Sequence, residues 1–176
     1  MLLDIDRAEI EELCALTQRV VTSAGVRQLH IATAESCTGG MIAGFITSVP
    51  GSSSAFCGGV VTYSNELKMK FLGVLPQTLA AYGAVSRQTA LEMSHGIAQA
   101  TGAQLSVAVT GVAGPAGGTP EKPVGLVYVS LHISHKGSSS SDSVIECRFD
   151  SGYSRDRIRF ETVKKAISML YDAVVL

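Results

Sequence analysis

Charge is what this sequence has least of. Only 16% of its 176 residues are Asp, Glu, Lys or Arg, whereas a typical soluble domain carries about 25%. Hydrophobic residues make up 46% of the chain and the mean hydropathy is +0.28. The shortfall predicts that other copies of the chain cover part of the surface, so a homo-oligomer is expected. Lys and Arg form no extended block and the net charge is −1, which excludes the electrostatic footprint of a nucleic-acid binder. A secretory signal is also missing, because the opening MLLDIDRAEIEEL is acidic and helical in pattern. The longest uncharged run, 36–65, is rich in Gly, Ser and Thr and contains Pro50, so it is not a membrane span. Cys14, Cys37, Cys57 and Cys147 show neither a CxxC pair nor a metal-like spacing. They are read as reduced thiols, with the cytoplasm as the expected location.

The chain is long enough for one domain, 1–176, that buries about 70% of its unfolded surface, and no internal repeat divides it. Apolar positions Ile10, Leu13, Leu16, Val20 and Val21 mark a first helix, with Asp6 and Glu9 as a capping box and Gly25 as its stop. LHIATA (29–34) is a buried strand, ESCTGG a strand-to-helix turn, and MIAGFITS a helix ending before Pro50. GGVVTYS (58–64) is a second strand, followed by a short helix over 65–73 and a helical piece opened by Pro76. A helix over 86–102, capped by Ser86 and stopped by Gly102, leads into the strand LSVAVT (105–110). After a long loop come strands at 124–134 and 143–149, joined by the polar turn SHKGSSSSDS, and then a terminal helix. The last two strands should pair antiparallel and the earlier ones, alternating with helices, should be parallel. The predicted fold is α/β, a three-layer α/β/α sandwich with a mixed, mostly parallel sheet.

Three stretches can carry chemistry. The turn Glu35-Ser36-Cys37-Thr38-Gly39-Gly40 leaves a strand and opens a helix, the place where open α/β sheets bind ligands. Its glycines let backbone approach a ligand, and free N–H groups there favour an oxyanion. They equally suit tight helix–sheet packing. The turn is neither GxSxG nor a Walker A loop. The second stretch, TGVAGPAGGTPEKP (110–123), holds four glycines and three prolines. Its length points to a ligand cradle over a plain connector. The third, VTYSNELK (61–68), sets Tyr63 at a strand end and Lys68 and Lys70 on a helix. A lysine acts as a base only if its pKa is lowered; the two lie on different helix faces, so at most one points into a site, and a solvated surface lysine is the ordinary reading. His132 and His135 would face opposite sides of a strand, and His30 and His95 lie in core-like patterns, so no metal site is expected. Arg155, Arg157 and Arg159 open the last helix against its dipole. Arg155 and Arg159 share a face, so either an anion binds there or they pair with Asp150 or Glu161.

TAESCTGG (33–40), GGVVTYSNELK (58–68), GAVS (83–86) and VAVTGVAGPAGGTPEKPVGLVYV (107–129) together resemble, in order and spacing, the C-terminal domain of the CinA family. That family includes stand-alone nicotinamide-nucleotide amidohydrolases, or NMN deamidases. The resemblance spans about residue 10 to 170, and with Met1 leading straight into the first helix it implies the short form, without the nucleotide-processing domain. It implies metal-free hydrolysis of the carboxamide of nicotinamide mononucleotide, in pyridine-nucleotide salvage, with no cofactor and a small nucleotide as partner. It also implies Ser36 as nucleophile rather than Cys37, Lys68 as general base, and Tyr63 completing the constellation. Thr110, with Gly111 and Gly114 in the loop that it opens, would contact substrate. Thr38, Gly39 and Gly40 are the candidate oxyanion donors, and Arg155, then Arg159, the candidate phosphate anchors. The chain departs from the family pattern at GYSRDRIR (152–159), where Ser154 replaces an acid, which bears on phosphate recognition. A second departure is Cys57-Gly58, where a charged pair is common. Two alternatives stand beside this: a nucleotide-binding module without turnover, linked to competence or damage responses, and an amidase using Cys37.

Overall fold

Five strands pair into one sheet, and the helical segments between them cover both of its faces. The computed structural model describes residues 4–134 and 139–175. Its elements are α1 (Arg7–Val26), β1 (Ile31–Glu35), α2 (Met41–Thr47), β2 (Phe56–Val61), α3 (Asn65–Leu72), α4 (Pro76–Tyr82), α5 (Arg87–Thr101), β3 (Leu105–Gly111), β4 (Leu126–Ile133), β5 (Ser141–Arg148) and α6 (Arg155–Val175). The strands lie in the order β2-β1-β3-β4-β5. β1 pairs parallel with β2 and β3, while β3 with β4 and β4 with β5 are antiparallel. Four strands therefore run one way and β4 alone is reversed. It reverses because a loop, with no crossover helix, links it to β3.

Helices α1, α2 and α6 pack on one face and α3, α4 and α5 on the other. Strands covered on both faces must be apolar throughout, and all five residues of β1 are buried. On the first face Ile31, Val107 and Val127 meet Ile158, Phe160 and Leu170. On the second, small Ala32, Ala34 and Ala108 draw in Met93, Ile97 and Leu72. Gly96 seats α5 against α3: a Cβ there would lie 1.9 Å from the Leu72 carbonyl oxygen. The depth of α3, and of the lysine it carries, is set by that contact.

Local signals act where the sequence placed them. The Ser64 and Ser86 hydroxyls accept from Leu67 and Thr89 N–H to open α3 and α5. Other details differ. α1 runs one residue past Gly25, and the left-handed residue after it is Gln28 (φ 55°). Gly25 instead makes room for Ser54, whose Oγ would sit 2.9 Å from a Cβ. That serine lies in a 3-10 turn, Ser52–Ser54, which no sequence signal marked. β2 begins and ends earlier than expected, so Tyr63 stands two residues beyond the strand. The expected turn SHKGSSSSDS lies partly outside the described residues, as does His135. No described helix is long and apolar enough to cross a membrane.

Candidate active site

The chain leaves β1 toward β2 on one side, while β3 lies on the other. In a sheet ordered in this way the crevice beyond the carboxyl ends of β1 and β3 is the natural ligand site. Ser36 is the first residue past β1, and its N–H donates to the Val109 carbonyl at 3.1 Å, carrying the ladder one step beyond the strand. The turn then reverses through Gly39 (φ 62°) and Gly40 (φ 93°). Two successive left-handed residues are costly for any side chain, by about 1–2 kcal/mol each, so glycine is required at both.

Glu35 holds this turn together. It is the only charged residue between Arg27 and Glu66, and it is 1% exposed. Its Oε2 accepts from the Thr38 hydroxyl (2.7 Å), Gly40 N–H (3.0 Å) and Ile42 N–H (3.1 Å), and its Oε1 from Ala43 N–H (2.8 Å). The carboxylate satisfies the orphan donors that open α2. Gly39 N–H donates to the Ser36 carbonyl. Of the expected oxyanion donors Thr38, Gly39 and Gly40, the two glycines are corrected, because Gly39 and Gly40 N–H are spent within the turn. Among the described residues, Cys37 and Thr38 N–H have no acceptor, and Cys37 borders the crevice.

Lys68 lies one turn into α3 with its side chain pointing back into the sheet, only 1% exposed. Its Nζ is 3.1 Å from Ser36 Oγ and donates to the Thr62 carbonyl at 2.7 Å. Burial, the dominant cause, lowers its pKa from the ordinary lysine value. Lys70, on another face of the helix, is exposed. The Cys37 thiol beside Ser36 is 6% exposed, and burial pushes its pKa up to about 12. It stays a thiol and is a poor nucleophile at neutral pH.

Ser36, Lys68, Tyr63, Thr110, Gly111 and Arg155 line one cavity of ≈ 200 Å³. Thr110 is aimed by its hydroxyl, which donates to the Ala84 carbonyl at 2.7 Å. Gly111 must be glycine, since a Cβ would meet Val127 Cγ2 at 2.5 Å. Gly114 contributes through its carbonyl, which accepts from Arg155 Nη1 at 2.8 Å. Tyr63 is joined to Arg155 rather than to Lys68: the guanidinium Nη2 donates to the phenol oxygen at 2.6 Å. Both acceptors are neutral, and no carboxylate pairs with Arg155 among the described residues. Its neighbours differ. Arg157 is paired with Glu9 and Glu161 at 2.7 Å. Arg159 points away from the cavity, donates to the Thr38 carbonyl at 2.9 Å and pairs with Asp156 at 3.3 Å. It borders a larger apolar groove between α1, α2 and α6, ≈ 400 Å³, which holds no nucleophile–base pair.

Sequence reasoning missed Glu35 as the keystone of the turn. Its isolation in an otherwise uncharged stretch of 38 residues, 28–65, was the available signal. The histidines also differ from expectation, because His30 and His95 are exposed and not in the core.

The profile of the CinA C-terminal domain matches residues 13–174. A Moorella thermoacetica relative named for competence-damage inducibility is 46% identical over 158 residues, covering 88% of this chain and 36% of its own length. The chain thus spans about a third of the curated relatives that it matches. Among solved structures, the competence/damage inducible protein CihA of Agrobacterium tumefaciens is 44% identical with a TM-score of 0.87, over 94% of this chain and 96% of that one. A CinA superfamily protein of Klebsiella pneumoniae is 32% identical with a TM-score of 0.82, over 93% and 98%. Sequence and fold agree, and the chain belongs to the CinA C-terminal domain family.

Proposed function

We propose that the crevice hydrolyses a carboxamide, that of nicotinamide mononucleotide, to nicotinate mononucleotide and ammonia. The observation that carries this is the 3.1 Å contact between Ser36 Oγ and a buried Lys68 Nζ whose pKa is lowered. A serine hydroxyl is a weak nucleophile until a base takes its proton. Neutral Lys68 accepts that proton as Oγ attacks the amide carbon, then hands it to the departing nitrogen, which leaves as ammonia. Water, deprotonated by the same amine, cleaves the resulting ester and restores Ser36 as the carboxylate leaves. Cys37 N–H is the backbone donor best placed for the oxyanion. The unneutralised Arg155 guanidinium at the cavity edge suits the substrate phosphate, and Tyr63 holds that guanidinium in place.

Nucleophile and base both come from the chain, so turnover is expected to persist with a chelator present. The test is ammonia release from nicotinamide mononucleotide by wild type and Ser36→Ala. Activity that vanishes in the variant and survives chelation supports a serine amidohydrolase. Nucleotide binding without any product from wild type would instead favour the non-catalytic binding module.

A further inference from the structure

At the opposite end of the sheet, three side chains from three elements converge. His132 on β4 stands across the strand pair from Asp142 on β5, and His132 also pairs with Ser106 near the start of β3. Thr110 lies near the other end of β3, four residues on from Ser106, so roughly 13 Å separates this cluster from the cavity end. His95 reaches the same point from the exposed face of α5. Asp142 Oδ1 accepts from His132 Nδ1 at 2.7 Å and from His95 Nε2 at 2.8 Å. The two imidazoles stand edge to face with centroids 4.5 Å apart. All three donor atoms lie within 4.8 Å of one another. Small Gly102 and Ala103, with Ser134 and Ser140, leave an open cavity of ≈ 360 Å³ beside the imidazoles.

We propose that His95, His132 and Asp142 bind a divalent transition-metal cation of the zinc or cobalt type. Two imidazoles and a carboxylate are the ligand set that such borderline ions take, and the cavity leaves room for water in a fourth position. Metal–ligand bonds of about 2.0–2.2 Å place tetrahedral donors roughly 3.3–3.5 Å apart. The two distances to Asp142 are shorter than that and the two imidazole nitrogens are up to 4.8 Å apart, so the carboxylate recedes and the imidazoles close on the cation as it replaces the two N–H protons. Each imidazole then carries its proton on its other nitrogen. The elements are held independently of the ion: the β4–β5 ladder fixes His132 against Asp142, and α5 is seated by Gly96. Bound metal would tie α5 to the outer hairpin, and would act apart from the Ser36 crevice. Spacing along the chain conceals the site, since His95 and His132 are 37 residues apart.

The test uses the full chain carrying Cys14→Ser and Cys57→Ser, which removes the two exposed thiols as competing ligands. After chelator treatment and dialysis, Co²⁺ is titrated and followed by visible absorption, and bound Zn²⁺ is counted by elemental analysis. One ion per chain is expected, with d–d bands and no thiolate charge-transfer band. His132→Gln, His95→Gln and Asp142→Asn should each weaken binding beyond the roughly 10–100-fold that loss of an outer-shell partner costs. At a hundredfold excess over Kd, Zn²⁺ should raise Tm by roughly 5–10 °C in the parent and not in the variants. Circular dichroism confirms that the variants are folded. Absence of saturable binding below about 1 mM, or one ion retained by folded His132→Gln and Asp142→Asn, overturns the proposal.

Discussion

Replacing Glu35 by Gln tests whether one buried carboxylate holds the turn that presents Ser36. The side chain keeps its size, so no cavity opens. If the amide oxygen takes the place of Oε2, it can still accept from Thr38, Gly40 and Ile42. The amide nitrogen then faces Ala43 N–H, donor against donor, where the carboxylate now accepts at 2.8 Å. A buried donor without a partner costs about 1–3 kcal/mol. The three remaining bonds lose their charge assistance, which roughly halves their strength. Relief from burying a charge offsets part of this, leaving a net loss of about 2–3 kcal/mol. Glu35→Ala strands all four donors and should cost more than about 4 kcal/mol, much of the stability of a typical domain. α2, at seven residues, cannot hold itself. Equilibrium unfolding in urea reads the effect: with m of about 2 kcal/mol/M, the midpoint of Glu35→Gln should fall by roughly 1–1.5 M at unchanged m. Turnover should fall as well, since a nucleophile displaced by about 1 Å loses on the order of a hundredfold. A midpoint within about 0.2 M of wild type would sink the keystone role.

Lys68→Met should abolish ammonia release yet raise stability by about 1 kcal/mol, or roughly 2–4 °C in Tm. The folded pKa of Lys68 lies below its unfolded value, so the unfolded chain binds more protons between the two, and wild-type stability climbs with pH through that window. That climb should be absent in Lys68→Met, while wild-type activity rises with pH as the amine becomes neutral; a rate that falls over the same range contradicts a lysine base. Cys37, with its pKa pushed up to about 12, should resist iodoacetamide at pH 7.5 while Cys14 and Cys57 label, and Cys37→Ala should keep its turnover. Loss of activity on alkylation of Cys37, mapped by mass spectrometry, would revive a thiol mechanism. Arg155→Ala should raise KM for the mononucleotide at least about tenfold, with a smaller effect on the riboside, whereas Arg159→Ala should act through stability. Equal effects of Arg155→Ala on both substrates would remove it from phosphate recognition.

Apart from the Ser52–Ser54 turn, the order and kind of the elements, their caps at Ser64 and Ser86, and the family are readable along the chain. These depend on contacts within a few residues or on strings of fixed spacing, both of which are visible along the chain. Tertiary structure decided the rest. Spacing puts Lys68 and Lys70 on different helix faces without saying which one points inward; α3 pressed down over Gly96 brings the Lys68 amine to Ser36, 32 residues away. Arg155, Arg157 and Arg159 differ in role because Glu9, Asp156 and Glu161 neutralise the latter two from other turns and another helix. Which N–H groups of the turn remain available depends on the buried Glu35, and which histidines meet depends on the order of β4, β5 and α5 in space. Charge and donor capacity are residue properties readable from sequence. Their partners, burial and pKa belong to the folded arrangement, because each depends on atoms brought together from distant parts of the chain.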